Sequence, residues 1–149
     1  MFRRFRRVRC LLILTVVEAA ACGSRPSGPS SPSSAVTGTW GGADIALTVA
    51  DAGSHVDFDC AQGEIPGPLT VNTRNQFNLS GTFIREHGGP IAVGEVADSH
   101  PAVYFGSVTA ATMSLTVRLT DTGEEMGPFS LSRGSAGRVV KCLLPLIGV

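Results

Sequence analysis

From Thr37 onward, apolar residues in this chain recur at every second position and not at every third or fourth. The clearest run is 113–120, where Met113, Leu115, Val117 and Leu119 alternate with serine, threonine and arginine. A period of two places all apolar side chains of a segment on one face of a β-strand. No window of ten residues after residue 37 carries a helical stripe, so the sequence predicts an all-β fold.

Short segments with this alternation are separated by turn signals rich in glycine, proline and aspartate. After a first strand opened by Gly38, the predicted strands are 45–49, 56–60, 69–72, 76–85, 91–93, 102–108, 113–119, 129–131 and 138–143. About eight short antiparallel strands with one apolar face form a small closed barrel or a β-sandwich. We favour the barrel and keep the sandwich as the alternative, because closure removes sheet edges that a chain of 149 residues has little else to cover.

The centre of the predicted barrel is assigned to large apolar residues on the alternating face, with packing as their role. These are Trp40, Leu47, Phe58, Phe83, Phe105, Leu115, Val117 and Phe129.

The first 21 residues read as a targeting segment. Five arginines lie within residues 1–9, and an apolar run follows over 10–17. That run is far shorter than the roughly 20 residues that a membrane-spanning helix needs. The pattern predicts a signal peptide over residues 1–21.

Residues 19–22, Ala-Ala-Ala-Cys, resemble the lipobox of bacterial lipoproteins, in which the cysteine becomes the lipidated first residue. The resemblance implies that Cys22 carries a lipid and attaches the protein to a membrane of the bacterial cell envelope, with the outer membrane expected. Simple cleavage after Ala21, giving a secreted or periplasmic protein, is the alternative. Serine, proline and glycine dominate the stretch after Cys22, so residues 22–36 are predicted to form a solvated tether and 37–149 the barrel domain.

Charge argues against nucleic acid as a partner. Twelve basic residues balance twelve acidic ones, but five of the basic and one of the acidic residues lie in 1–21, so the remainder is acidic by four charges. Phosphate contacts need clustered lysine and arginine. We therefore expect no nucleic-acid partner.

Two of the four cysteines, Cys10 and Cys22, belong to the targeting segment and its cleavage site. Cys60 and Cys142 remain, and in an oxidising compartment they are predicted to form a disulfide. A bridge across 82 residues destabilises the unfolded chain by about 4–5 kcal/mol in the chain-entropy model. Two buried free thiols are the alternative.

Gly38-Thr39-Trp40 resembles the Gly-x-Trp signature that opens lipocalin-like barrels. The resemblance implies that Trp40 closes the barrel floor and that Arg133, near the last strand, packs on it through a cation–π contact. It also makes Trp40 and Arg133 candidates for ligand binding. The whole layout is similar to small bacterial lipoproteins with a lipocalin-like barrel domain.

The sequence contains no nucleophile elbow, phosphate loop, zinc-protease motif or dinucleotide fingerprint, and we predict no cofactor. Its least ordinary polar cluster is two loops that carry Glu86 and His87, and Asp98 and His100. Imidazole with carboxylate suits zinc or a general base. The alternative is that these groups only decorate one barrel mouth.

Two functions follow as expectations. The first is a non-catalytic, lipid-anchored envelope module that binds a small apolar ligand or an envelope partner. The second is a metal-dependent or hydrolase-like enzyme that uses the His87 and His100 loops.

Overall fold

A computed structural model describes residues 34–90 and 93–142 of the chain. The predicted signal peptide, Cys22 and most of the predicted tether lie outside these residues. Within the described residues every regular element is a β-strand. The strands are β1 (Ser34–Val36), β2 (Gly38–Gly42), β3 (Ile45–Ala50), β4 (Gly53–Phe58), β5 (Ala61–Pro66), β6 (Leu69–Val71), β7 (Gln76–Arg85), β8 (Asp98–Val108), β9 (Thr112–Leu119) and β10 (Glu125–Arg133).

Eight of these strands form a closed antiparallel barrel in the order β10-β2-β3-β4-β5-β7-β8-β9. Each barrel strand pairs with the next one along the chain, apart from the excursion of β6, and β10 closes the ring on β2. The two remaining strands, β1 and β6, form a separate ladder from Ser34↔Val71 to Val36↔Leu69. The predicted all-β closed barrel of about eight strands is confirmed, and the sandwich alternative is wrong.

The antiparallel order gives the barrel two distinct ends. The connections β2–β3, β4–β5, β7–β8 and β9–β10 lie at one end, which we call the disulfide end because Cys60 sits in the β4–β5 turn. The connections β3–β4 and β8–β9 and the excursion through β6 lie at the other end, which we call the β1–β6 end.

Alternation along the strands fills the interior. In β3, β4 and β5 the buried and more exposed residues strictly alternate. The fully buried large side chains are Trp40, Tyr104, Ile45, Leu47, Ile65, Leu69, Leu115, Leu119, Leu131, Val56 and Val117. Towards the disulfide end, the Phe58 ring lies 5.4 Å from those of Phe83 and Phe129, in the tilted geometry that aromatic pairs favour.

Tyr104 occupies a notch that two glycines leave inside the barrel. A methyl group at Gly63 would collide with the Tyr104 hydroxyl, and one at Gly81 would lie 3.0 Å from its ring. The hydroxyl donates a hydrogen bond of 2.7 Å to the Thr82 carbonyl, and burial raises the pKa of this phenol. Tyr104, and not Phe105, is therefore the interior aromatic residue of β8.

The prediction of Phe105 as a core residue is wrong. Successive residues of a strand face opposite sides, so once Tyr104 faces inward Phe105 must face outward. Its ring is only partly buried, and the Arg118 guanidinium lies 5.7 Å from the ring centre. Of the other predicted core residues, Phe129 is partly buried against the core and the remaining six are buried.

Several predicted boundaries also differ from the structure. Residues 34–36, assigned to the tether, form β1, because Val36 packs on the core and pairs with β6. Strand β5 was missed, since Gln62, Gly63 and Glu64 hide its alternation. Of the predicted strand 138–143, the described residues 138–142 contain one parallel bridge, Ala43↔Arg138, and no strand. Of the predicted strand 91–93, residues 91 and 92 lie outside the described residues and Val93 is in a turn.

The barrel closes through a short seam between β10 and β2, which are paired only at Ser132↔Gly41 and Arg133↔Trp40. Residues 134–142, which we call the strap, then turn back across the outside of this seam. Arg138 donates from its backbone nitrogen to the Gly42 carbonyl and accepts from Asp44 at its own carbonyl. A methyl group at Gly41 would collide with the Gly137 backbone, so the strap can cross only over a glycine.

The strap ends in the Cys60–Cys142 disulfide, which confirms the predicted pairing across 82 residues. The two Cα atoms are 4.8 Å apart. Cys60 lies in the β4–β5 turn with φ of 52°, and not in a strand as the alternation suggested. The bond therefore fastens the strap to a turn at the disulfide end.

We expect Leu115→Ala to lower the free energy of unfolding by about 2–5 kcal/mol, because Leu115 is fully buried and its truncation leaves a cavity. Urea unfolding with the disulfide intact measures the loss. Thr48→Ala on the outer face of β3 is the matched control, with an expected change of about 0.5 kcal/mol or less. A loss below about 1 kcal/mol for Leu115→Ala at intact fold would mean that this position lines a solvent-filled lumen.

Candidate functional site

The two loops that carry the predicted polar cluster belong to one hairpin connection. Strands β7 and β8 pair directly, from Gln76↔Ser107 to Arg85↔Asp98, so residues 86–97 join them at the disulfide end. Although the sequence predicts a strand at 91–93 between these loops, β7 and β8 are direct neighbours in the barrel, so both loops belong to one connection. Glu86, His87, Asp98 and His100 therefore lie at the same end of the barrel.

Three of these four residues line one pocket of about 600 Å³, which we call the disulfide-end pocket. Its walls come from β5, from the end of β7, from the β7–β8 connection and from the strap. The lining residues are Gln62, Ile84, Arg85, Glu86, His87, Gly89, Glu95, Ala97, Asp98, Lys141 and Cys142.

His87 is held in the β7–β8 connection by an ion pair between its Nε2 and Oε1 of Glu95. Its Nδ1 lies 3.1 Å from the Gly88 carbonyl. The hydrogen bond with Glu95, and after it the bond with Gly88, raises the pKa of this imidazole. His87 is therefore biased towards the imidazolium form, which is a poor metal ligand.

His100 lies between two carboxylates at the same end. Its Nδ1 is 2.7 Å from Oδ2 of Asp121, in the β9–β10 turn, and its Nε2 is 3.0 Å from Oδ1 of Asp98. The hydrogen bond with Asp121 raises the pKa of His100, and the same bond lowers the pKa of Asp121. The pair ties the β9–β10 turn to the start of β8.

Lys141 joins the strap to two barrel strands, and sequence reasoning missed it. Its Nζ donates 2.8 Å to the Ala61 carbonyl and lies 2.8 Å from Oδ1 of Asp57 and 3.3 Å from Oε1 of Glu86. The hydrogen bond from Lys141 holds the pKa of Asp57 below its ordinary value. It is the only lysine in the chain, which was the available signal.

The third histidine, His55, lies on the outer face of β4 beside Asp57. Its Nδ1 is 2.5 Å from Oε1 of Glu64 on β5, and its Nε2 is 3.4 Å from Oδ2 of Asp57. The hydrogen bond with Glu64 raises the pKa of His55. His55 and Asp57 are both partly exposed, so this is the solvent-facing side of the sheet.

The four predicted metal ligands are distributed over separate ion pairs. Glu86 pairs with Lys141, His87 with Glu95, and Asp98 with His100. Within residues 34–90 and 93–142, no group of three or more His, Cys, Asp and Glu side chains is arranged so that it could hold a metal ion. The geometry at this end is that of a salt-bridged surface.

Trp40 and Arg133 meet as the resemblance implied. The Arg133 guanidinium lies 5.3 Å from the Trp40 ring centre, and its Nη2 donates to the Thr37 carbonyl at 3.2 Å. Trp40 is 1% exposed, so its ring is part of the packed interior, and Arg133, which shares its face of the sheet, packs on it. The contact spans the β2–β10 seam, since Arg133 and Trp40 are paired residues there.

Comparison of the chain with protein-family models, with curated proteins and with solved structures finds no match. Within the described residues, no helix is long and apolar enough to cross a membrane. The class that fold and site define is a small, disulfide-bonded, up-and-down antiparallel barrel with ion pairs at one end.

We expect the melting temperature to be highest between about pH 4 and 6.5. All three histidines have a raised pKa, so their contribution is complete below the ordinary value of 6.5 and is lost as the pH rises through the raised values. Asp57 and Asp121 have a lowered pKa, so their contribution is present above 3.8 and is lost as the pH falls through the lowered values. Calorimetry from below pH 4 to above pH 6.5 measures how the melting temperature falls on each side of the maximum.

Proton NMR of the three imidazoles supplies the site-resolved measurement, with each titration midpoint expected above 6.5. Asp121→Asn is the matched variant, because it removes the carboxylate that is hydrogen-bonded to His100 and leaves those of His55 and His87 in place. Its His100 midpoint should fall while the other two stay unchanged. Three midpoints at 6.5 or below in the unaltered protein would contradict the pairing.

Proposed function

We propose that this chain is a non-catalytic barrel module of the bacterial cell envelope, anchored by a lipid on Cys22, which binds an envelope protein through its disulfide end. The observation that carries the binding surface is the presence of three exposed valines in the two segments that help to line the disulfide-end pocket. Val93 and Val96 lie in the β7–β8 connection, and Val140 lies in the strap.

Export is supported by the disulfide. Bonds of this kind persist in oxidising compartments and are rare in the reducing cytosol. The Cys60–Cys142 bond of the structure therefore agrees with the arginine-rich, apolar segment that precedes Cys22 in the sequence.

A surface site is supported by the way the interior is filled. Side chains from all eight barrel strands occupy the inside of the ring, with Trp40, Tyr104 and Leu115 each 1% exposed or less. A barrel of eight strands is just wide enough for side chains to fill it. Of the two binding modes expected from the sequence, contact with a partner protein is thus favoured over an apolar ligand in the lumen.

The disulfide end has the composition of a protein interface. Val93 is fully exposed, Val96 is 87% exposed and Val140 is 64% exposed, whereas Arg85, Glu86 and Asp98 line the pocket with charge. Exposed apolar residues bordered by polar ones mark interaction sites on soluble domains. The strap and the β7–β8 connection present both kinds of residue on one surface.

Catalysis is less well supported by the same geometry. A histidine held by a carboxylate can act as a general base, so the pairs at His87 and His100 do not argue against catalysis. Within residues 34–90 and 93–142, however, no group of three or more His, Cys, Asp and Glu side chains is arranged to hold a metal ion, so the metal-dependent alternative has no centre there.

The anchor is tested with Cys22→Ser in the native host. We expect the unaltered chain to incorporate a labelled fatty acid and to partition with membranes, and the variant to do neither, because a serine cannot form the thioether lipid bond. Cys60→Ser with Cys142→Ser is the control, since it removes two cysteines and leaves Cys22. A Cys22→Ser chain that still takes up label would contradict the anchor.

The partner surface is tested in the same host with a photo-crosslinking amino acid at Val96. One adduct of defined mass is expected there, and none at Asp51, an exposed residue in the β3–β4 turn of the opposite end. Adding Val93→Asp and Val140→Asp should abolish the adduct at unchanged melting temperature, because charge in an apolar contact is costly to desolvate.

Equal adducts at Val96 and Asp51, or an adduct that survives the two aspartates, would contradict the assigned surface. A native mass spectrum of the protein from its own membranes tests the lumen. A stoichiometric apolar ligand that is lost on Leu115→Phe would place binding inside the barrel and overturn the proposal.

A further inference from the structure

A second pocket of about 740 Å³ lies on the barrel wall towards the β1–β6 end, and we call it the wall pocket. It is bordered by β6 and by β7, β8 and the start of β9. The polar side chains among its lining residues are Thr70, Asn72, Gln76, Asn78, Ser107 and Ser114. Its volume lies within the range of small-molecule binding sites.

The wall pocket differs from the disulfide-end pocket in charge. None of its described lining residues is ionisable: they are hydroxyl, amide, aliphatic and aromatic residues and a glycine. The disulfide-end pocket, by contrast, is lined by Arg85, Glu86, His87, Glu95, Asp98 and Lys141. The two pockets therefore suit different ligands.

An aromatic ring forms one side of the wall pocket. Phe105 faces outward from β8, where it is paired with Asn78 of β7 on the same face. The Arg118 guanidinium lies 5.7 Å from the ring centre, and Arg118 is paired with Val103, which lies further towards the disulfide end. Ser107 and Ser114, paired on the other side of Phe105, line the pocket. Phe105 thus lines the pocket and also carries the Arg118 guanidinium.

The amide side chains of the wall pocket provide hydrogen-bond donors and acceptors, and that of Asn72 is held in place. Oδ1 of Asn72 accepts hydrogen bonds of 2.9 Å from the Arg74 nitrogen and 3.0 Å from the Gln76 nitrogen. These bonds fix the orientation of the Asn72 side chain, whose NH₂ group is a donor. Gln76 and Asn78 add two more amides on the outer face of β7, each able to donate and to accept.

We propose that the wall pocket binds a neutral oligosaccharide. A sugar ring has an apolar face of C–H groups, which packs on an aromatic ring, and an edge of hydroxyls that both donate and accept. Phe105 matches the face, and the amides and hydroxyls match the edge. An apolar ligand would bury those amides without partners, and a charged ligand would find no counter-charge among the lining residues.

This inference goes beyond the proposed function and stands without it. The wall pocket is formed by β6–β9 towards the β1–β6 end, whereas the proposed partner surface is formed by the strap and the β7–β8 connection at the disulfide end. Substitutions in one leave the residues of the other unchanged.

The test is titration calorimetry of the full-length chain in a detergent that has no sugar head group. The neutral probes are maltotetraose and tetra-N-acetylchitotetraose, and the anionic probe is tetragalacturonate. We expect at least one neutral probe to bind at a single site, with an affinity that changes less than about twofold between 0.05 and 0.5 M salt, because no ion pair is formed.

Substitutions test whether the oligosaccharide binds in the wall pocket. Phe105→Ala should weaken binding at least about fivefold, since the aromatic face is lost, and Asn78→Ala should weaken it about threefold or more. Val103→Ala is the matched control on the same outer face of β8 and should bind like the unaltered protein. Phe105→Trp should retain binding and add an exposed fluorophore to a chain whose only tryptophan is buried.

Three outcomes would overturn the inference. They are no binding of either neutral probe at about 10 mM, binding that Phe105→Ala leaves unchanged, and tighter, salt-dependent binding of tetragalacturonate. Urea unfolding of each variant, expected to match the unaltered protein, separates loss of the site from loss of the fold.

Discussion

The closure of β10 on β2 is the interaction on which the rest of this structure depends. If that seam opened, two strand edges and the interior around Trp40 would be exposed to water. The seam has only two residue pairs, whereas β7 and β8 form ten. The strap compensates, because it adds backbone hydrogen bonds from Gly134 to Thr39 and from Arg138 to Gly42. Lys141 and the disulfide then fasten the strap to β4 and to the β4–β5 turn at the disulfide end.

Sequence periodicity was sufficient for the fold class because most interior positions are supplied by strict alternation, as in β3 and β9. Periodicity was insufficient where backbone geometry, and not hydrophobicity, decides which residue occupies the interior. Strand β5 contributes Gly63 to the interior, where a larger residue would meet Tyr104, so its pattern contains no large apolar residue at that point. Phe105 was misassigned for a related reason, since Tyr104 and Phe105 are adjacent aromatics and only the pairing register decides which faces inward.

The candidate site was only partly visible in the sequence. Glu86, His87 and Asp98 do line one pocket, because the connection and the first residue of β8 in a single hairpin carry them. Two of the ion-pair partners at this end were not visible in the sequence, since Asp121 comes from the β9–β10 turn and Lys141 from the strap, whereas Glu95 belongs to the same connection as His87. The uncharged wall pocket carried no motif at all, because its polar residues are dispersed over four strands and the turns that adjoin them.

The placement of β1 determines how the molecule responds to a mechanical load applied from its N-terminal side. Tension on the chain ahead of Ser34 reaches the β1–β6 ladder first, and that ladder has three residue pairs. Once it yields, the load passes to β2, which is held by five pairs to β3, by two to β10 and by the Trp40 ring inside the barrel. The β1–β6 ladder therefore separates first, which lengthens the chain and dissipates work before the load reaches β2.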